Sequence, residues 1–190
     1  MSIQSDVKVG FIADENVADP DRLVVAARPN TSATMAETTF LGGGARNVTV
    51  TTTGTSDNAK TCTITGTDVF GNAITEVIVS TGSAEAVAGA KLFLTVSGVE
   101  CSAQYAANIT VGSGSLCASA VAGGNRTRMK GYSIVSAGTA GLVDFYNGTP
   151  EDGTIIFKAQ TLGTDNTTID NTIPDEGILF DSGLAISYTV

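Results

Sequence analysis

From Arg46 onward the chain is written in short β-prone runs, several of which alternate apolar and polar residues: Val48-Thr49-Val50-Thr51, Cys62-Thr63-Ile64-Thr65, Ile74 to Val79, Leu92 to Val96 and Asn108-Ile109-Thr110-Val111. A period of two sends successive side chains to opposite faces of a strand, and Val, Ile and Thr favour extended backbone. Gly, Ser, Asn and Asp punctuate the runs at the spacing of an all-β protein. The clearest unit is Lys60 to Val79, where two alternating runs flank Gly66-Thr67-Asp68-Val69-Phe70-Gly71-Asn72. That arrangement predicts a β-hairpin, because Gly, Asp and Asn tolerate positive φ or close local hydrogen bonds. The texture returns at Arg126 to Ser136, Gly141 to Tyr146, Gly153 to Gln160 and Gly177 to Val190, with Asn147-Gly148 and Asp181-Ser182-Gly183 as turns. The pattern as a whole predicts an antiparallel β-sandwich or barrel, organised as one or two small β-domains.

Between these runs the pattern lapses in three places. Residues 1–45 hold only the short apolar runs Val7 to Ile12 and Leu23 to Ala27, broken by Pro20, Pro29 and Gly42-Gly43-Gly44. Such a segment buries little apolar area alone and predicts an extended N-terminal arm with one or two short strands, ordered by what it lies on. Residues 84–90 read as a loop, since Gly82 and Gly89 enclose a piece too short for a stable helix. Residues 113–125, small and rich in Gly, Ser and Ala, read as a linker or loop. The resulting division is an arm over 1–45, a β-domain over 46–112, the linker over 113–125 and a second β-region over 126–190. The closing run Leu184 to Val190 needs a partner strand, either in its own sheet or in a neighbouring subunit.

A net charge of −9 over 190 residues changes the functional picture. Nucleic-acid affinity rests on Lys and Arg neutralising phosphates, so DNA is not an expected ligand. No stretch approaches the roughly 20 apolar residues of a membrane-spanning helix, and the first residues lack the basic and apolar regions of a secretory signal. The three cysteines, Cys62, Cys101 and Cys117, are odd in number and flanked by small or apolar residues, as befits buried thiols. The Asn-x-Ser/Thr triplets at Asn30, Asn47, Asn108, Asn125, Asn147 and Asn166 then read as strand and turn residues.

Candidate chemistry is sparse. The chain has no histidine, which removes the commonest general base, the commonest metal ligand and every Ser-His-Asp or Cys-His arrangement. Paired carboxylates hydrolyse glycosides, and Glu76, Glu100, Glu151 and Asp152 are available, but nothing singles out a pair. Asp165 to Asn171 is oxygen-rich, yet its spacing matches no EF-hand loop, and a solvated turn is the alternative. Gly42-Gly43-Gly44 and Gly123-Gly124 lack a following Lys-Ser/Thr and read as flexible joints. No catalytic residue, metal or cofactor is expected. Four residues stand out as partner-binding candidates. Glu76 sits in the hairpin's second run, where a cross-strand Lys, Arg or Thr would meet it, in an assembly or edge-protecting role. Arg126, Arg128 and Lys130 alternate, so on a strand they form a basic stripe suited to an acidic neighbour, or simply an exposed polar face.

The hairpin's wording, Thr65-Gly66-Thr67-Asp68-x-x-Gly71-Asn72-x-Ile74-Thr75-Glu76, resembles a segment that recurs in structural proteins of tailed bacteriophage particles. Residues 46–112 are similar to a domain of phage head and tail components through Asn47-Val48-Thr49-Val50, that motif, Leu92-Phe93-Leu94-Thr95-Val96 and Asn108-Ile109-Thr110-Val111-Gly112. Arg128-Met129-Lys130-Gly131 and Pro174-Asp175-Glu176-Gly177-Ile178-Leu179-Phe180 resemble a second recurrent phage segment. The resemblance implies a virion structural protein without catalytic residues. Within that class the expected role is a capsid decoration, or cement, protein on the outer head surface, assembled in the host cytoplasm. Its partners would be the major capsid protein and further copies of itself, for example in a trimer. A neck or tail component (connector, tail tube or fibre-associated) is the alternative. A glycan-binding adhesive module is a third, opposed by the absence of Trp and an aromatic content of 6%.

Overall fold

The computed structural model describes residues 17–136, 138–164 and 167–189, and all regular structure among them is strand. The first half supplies β1 (Val24–Ala27), β2 (Ala45–Thr52), β3 (Thr61–Thr67), β4 (Ala73–Val79), β5 (Ala86–Phe93) and β6 (Thr95–Cys101). A long β7 (Ile109–Gly123) follows. The second half contains β8 (Thr127–Met129), β9 (Gly131–Ser136), β10 (Leu142–Asn147), β11 (Thr154–Gln160), β12 (Thr167–Thr172), β13 (Ile178–Phe180) and β14 (Gly183–Thr189). One seven-stranded antiparallel sheet runs in the order β11-β10-β14-β7-β2-β5, with β1 added to β7. A three-stranded sheet, β4-β3-β6, and two ribbons, β9-β12 and β8-β13, complete the described residues. No sheet closes into a barrel.

Burial follows the alternation. β3 turns Cys62, Ile64 and Gly66 inward and its threonines outward. These meet Val96 and Val99 of β6 and, from the large sheet, Val48, Val50, Ile109 and Val111. β2 is buried along nearly its whole length, as a strand covered on both faces must be. The second half builds its own core from Val143, Phe145, Leu184 and Ile186 of the large sheet against Met129 and Phe180 from the β8-β13 ribbon. There the rings of Tyr132, Phe145 and Phe157 lie 5.2–5.6 Å apart in tilted pairs, a geometry that aromatic quadrupoles favour. A third cluster joins the halves: Ala45, Leu92, Ala118 and Ala185 receive Val69 and Phe70 from the tip of the β3-β4 hairpin.

The hairpin forms in full register from Thr61↔Val79 to Thr67↔Ala73. Its loop is organised by Asp68, whose Oδ1 accepts the Phe70 and Asn72 amides at 2.8 and 2.9 Å and whose Oδ2 accepts Asn72 Nδ2 at 2.9 Å. Gly71 takes φ +86°, which a side chain would oppose. Residues 17–45 lie along the sandwich as extended chain. Leu23 donates its N–H to the Val111 carbonyl, Ala33 to Val99, and Val96 to Thr38, and Leu23 and Val24 enter the first core. The Val7 to Ile12 run lies outside the described residues.

Several expectations are corrected. The Gly/Ser/Ala segment over 113–125 is not a linker, because β7 continues through it to Gly123 as the spine of the large sheet. Its small residues serve close approach. A Cβ on Gly112 would collide with the backbone of residues 19–21, and one on Gly114 with the Asn47 amide. Residues 86–90, expected as a loop, belong to β5. Leu92 to Val96 is a corner rather than one strand, where the chain leaves the large sheet at Phe93 and enters the small one at Thr95. The Arg126 to Ser136 run likewise breaks at Lys130 into β8 and β9, which join different ribbons. The closing strand β14 finds its partners within the chain, between β10 and β7.

At the middle of β7 the register with β2 shifts between Arg46 and Val48, where Gly114, Ser115 and Leu116 bulge. Two buried side chains replace the ladder bonds lost there. Arg46 Nη1 donates to the Gly114 carbonyl at 3.2 Å, and Asn47 Oδ1 accepts the Leu116 amide at 3.1 Å while its Nδ2 donates to Gly89 at 3.1 Å. Removing both Asn47 bonds leaves sheltered backbone groups without partners, each worth roughly 1–3 kcal/mol. N47A is therefore expected to cost about 3 kcal/mol, read in urea unfolding as a lower midpoint at unchanged slope.

Candidate functional site

The structure gives most of the polar groups internal work. Glu76 faces inward on β4 with Ile74 and Ile78. The residue opposite it on β3 is Ile64 rather than Lys, Arg or Thr. Its carboxylate instead spans the gap between the two sheets, accepting the β5 amides of Ala90 at 2.7 Å and Lys91 at 3.3 Å. Gly89 leaves the space, since a Cβ there would strike that carboxylate. The next amide along, Leu92 N, is taken at 2.8 Å by Glu151 Oε1 from the β10-β11 loop. Two carboxylates thus cover three consecutive amides of β5, at one end of the large sheet, and an inward charge of this kind blunts an edge against further strand pairing.

Glu151 also ties the halves together, because its loop belongs to the second and Leu92 to the first. The loop is held by Asp152 N on Thr149 Oγ1 at 3.3 Å and Gly153 N on the Thr149 carbonyl at 2.7 Å. Glu151 Oε2 is buried without a hydrogen-bond partner. Burial pushes the Glu151 carboxyl up from 4.5, and the nearby Asp68 carboxylate adds to that rise, against the lowering effect of the Leu92 amide.

Arg126, Arg128 and Lys130 project from one face of the β8 segment, and the acidic neighbour is supplied by the same chain. Arg126 Nε lies 3.2 Å from Asp181 Oδ1, and Arg128 Nη2 lies 3.0 Å from Glu176 Oε2. Lys130 Nζ donates to the Asp175 carbonyl at 2.6 Å. These pairs are exposed and contribute little stability, as surface ion pairs do. Those of Arg128 and Lys130 clamp the Pro174 to Gly177 turn, in which Asp175 and Gly177 both take positive φ.

Among the remaining carboxylates, Glu100 sits exposed on β6 beside its bridge to Ser32. Asp152 lines an open cleft of about 420 Å³ between the hairpin tip and the β10-β11 loop, with Asp68, Phe70, Asn72, Asn147 and Ser182. Of that wall, Asp68 is committed to its own loop and Asn147 Oδ1 accepts the Ser182 amide. The described side chains bring no nucleophile, base and orienting group together there. The Asp165 to Asn171 segment lies partly outside the described residues. The Cys62, Cys101 and Cys117 thiols are buried, with no disulfide between them.

What the surface does present is apolar strand. β4 pairs only with β3 and exposes Val77 and Val79; β11 pairs only with β10 and exposes Ile155 and Ile156, while Leu142 and Leu162 are exposed toward the other end of that pair. Among the described residues these two strands, like those of the β8-β13 and β9-β12 ribbons, have an edge without a ladder partner. Comparisons with protein-family models, with curated proteins and with solved structures find no match to this chain.

The sequence singles out Glu76 but not the amides it holds, because residues 84–90, which contain the first of them, read as a loop. It offers Glu151 only as a hydrolytic acid, and no local signal pairs that residue with Leu92, 59 positions away.

The raised Glu151 value fixes a sign. The folded state takes up a proton at higher pH than the unfolded chain, so stability rises as pH falls toward 4.5 and that gain is absent at neutral pH. Glutamine keeps the acceptor for Leu92 and removes the charge. E151Q is expected to match or exceed wild-type stability at neutral pH and to lose the acid-side gain. E151A, lacking the acceptor, should fall about 1 kcal/mol below E151Q. Urea titrations of the three proteins across this pH range check both.

Proposed function

We propose that this chain is a non-enzymatic structural protein of a tailed-bacteriophage particle, acting as a capsid decoration protein that binds the outer head surface across joints between capsomers. The observation that carries this reading is where the surface is left open. The charged residues Glu76, Arg126 and Arg128 are turned inward or paired within the chain, while apolar side chains lie along the free edges of β4 and β11. A free edge offers backbone donors and acceptors to a neighbouring strand, and alternate side chains add apolar burial. Residues 17–45 display that mode of attachment within one chain, as extended backbone bonded to β6 and β7. The major capsid protein and further copies of this chain are the partners in this reading. Many copies multiply a modest contact energy into stable coverage. The resemblance of the hairpin to phage structural segments supplies the particle. The packing of Tyr132, Phe145 and Phe157 on one another in the second core weighs against an adhesive module, which stacks sugars on exposed rings.

Quantitative mass spectrometry of purified particles tests the reading. One copy per capsid subunit, or per few subunits, is expected. A ratio below a few per cent would move the protein to the neck or tail, and absence would overturn particle membership. In the same assay I156K and V77K, at exposed edge positions, are expected to fold as wild type but to reduce occupancy by tenfold or more, about 1.4 kcal/mol per site.

A further inference from the structure

The inner face of the small sheet carries a pair of sulfur atoms that no role described above uses. Cys62 of β3 and Cys101 of β6 are direct cross-strand partners, with Sγ atoms 3.6 Å apart. The Cys101 amide is bonded to the Thr31 carbonyl, on the side away from β3, whereas the neighbouring Ser102 amide bonds Thr61. Cys62 and Cys101 therefore form a non-hydrogen-bonded pair, the kind whose Cα atoms approach to about 4.5 Å. That separation lies within the roughly 4.4–6.8 Å that a disulfide spans. Cys117 stands on β7, opposite Arg46, in register with neither.

A loop covers the pair. Tyr105, fully buried, places its hydroxyl 3.3 Å from Cys62 Sγ. The loop is latched by Asp57, whose carboxylate accepts the Ala106 amide at 2.7 Å, the Ala107 amide at 3.3 Å and Lys60 Nζ at 2.8 Å. Lys60 also donates to the Gln104 carbonyl, and Arg28 Nε to the Tyr105 carbonyl at 3.2 Å. Burial favours the neutral acid at Asp57, but the Lys60 ammonium and the two amides outweigh it and hold the carboxyl below its usual range. The latch is therefore charged at neutral pH. The hydrogen bonds from the Cys101 thiol and the Tyr105 hydroxyl hold the Cys62 thiol below its usual range, while the same contact and burial push Cys101 above it, so Cys62, directly beneath the loop's Tyr105, is the better nucleophile.

We propose that Cys62 and Cys101 are an oxidisable dithiol that closes to a cross-strand disulfide when a small-molecule disulfide reaches it under the Asp57-latched loop. The Cys62 thiolate attacks one sulfur of oxidised glutathione, forming a mixed disulfide and expelling a glutathione thiolate. Cys101, giving up its proton, then attacks Cys62 Sγ and expels the second. Two protein thiols are oxidised to one disulfide, one glutathione disulfide is reduced to two thiols, and the two cysteine protons pass to the released thiolates. The bond would close the segment from Cys62 to Cys101, restricting the unfolded chain and raising thermal stability.

The test incubates the reduced full chain with oxidised glutathione, denatures it, alkylates the remaining thiols and maps peptides by mass spectrometry. One alkylated thiol of the three is expected, at Cys117, with a Cys62–Cys101 link and a Tm raised by several degrees that a reductant reverses. D57N should form the link several-fold faster, and C101S should form none. Three alkylated thiols after oxidation of the native protein and after refolding in a glutathione buffer would overturn the proposal, as would a link through Cys117. A link formed only on refolding would overturn the route beneath the loop.

Discussion

The structure depends on the continuity of one strand. β7 pairs β2 along its first part, from Ile109 to Ala118, and β14 along its second, from Leu116 to Gly123. Each half has its own apolar core, and the shared strand makes them one sheet. The cost of that solution falls where the pairing changes hands. There β7 carries residues that the β2 ladder cannot match, and the buried Arg46 and Asn47 side chains bond Gly114 and Leu116 in its place. Small residues are required on β7 because Asn47 and the backbone of residues 19–21 press against it. A composition suited to a flexible joint here serves the least replaceable strand.

The same substitution of side chain for ladder recurs across the molecule. Asp68 organises the hairpin loop, Asp57 holds the loop over Cys62, and Glu76 and Glu151 cover the amides of β5. In each case an acidic oxygen accepts backbone N–H groups that no strand reaches, and bonds of this charge-assisted kind are the stronger ones. The acidity of the chain is thus partly architectural. Carboxylates committed in this way are poor candidates for general acid-base work, since movement would uncover the amides they hold.

The all-β class, the hairpin and most strands were legible because alternation of Val, Ile and Thr with polar residues is a local signal. So was the turn chemistry of Asp68, Gly71 and Asn72. The failures share a cause. β7 beyond Val111 is written in Gly, Ser and Ala, whose propensity speaks against strand, and only close neighbours from distant sequence explain it. Leu92 to Val96 reads as one strand because its apolar, β-prone run continues through the corner, and a change of sheet leaves no mark on such a run. The basic stripe at Arg126, Arg128 and Lys130 was visible as a stripe, but its partners Glu176 and Asp181 lie about 50 residues on, beyond the reach of local pattern.

Edges decide what such a molecule can join. β5 is covered by Glu76 and Glu151, whereas β4 in the first half and β11 in the second have free ladders with apolar side chains exposed. The two edges differ in sequence: Val77 and Val79 flank Ile78 on one, and Ile155 and Ile156 precede Phe157 on the other. If one pairs with the other on a second copy, the contact is heterologous, and repetition of a heterologous contact yields a ring where the rotation closes and a filament where it does not. A self-complementary contact at either edge gives a twofold dimer instead. Under the decoration reading, a trimer built through these two edges calls for the unlike pairing of β4 with β11, while a dimer built through them calls for only one. The number of subunits in the assembly and the edge that forms it are in this sense a single structural question.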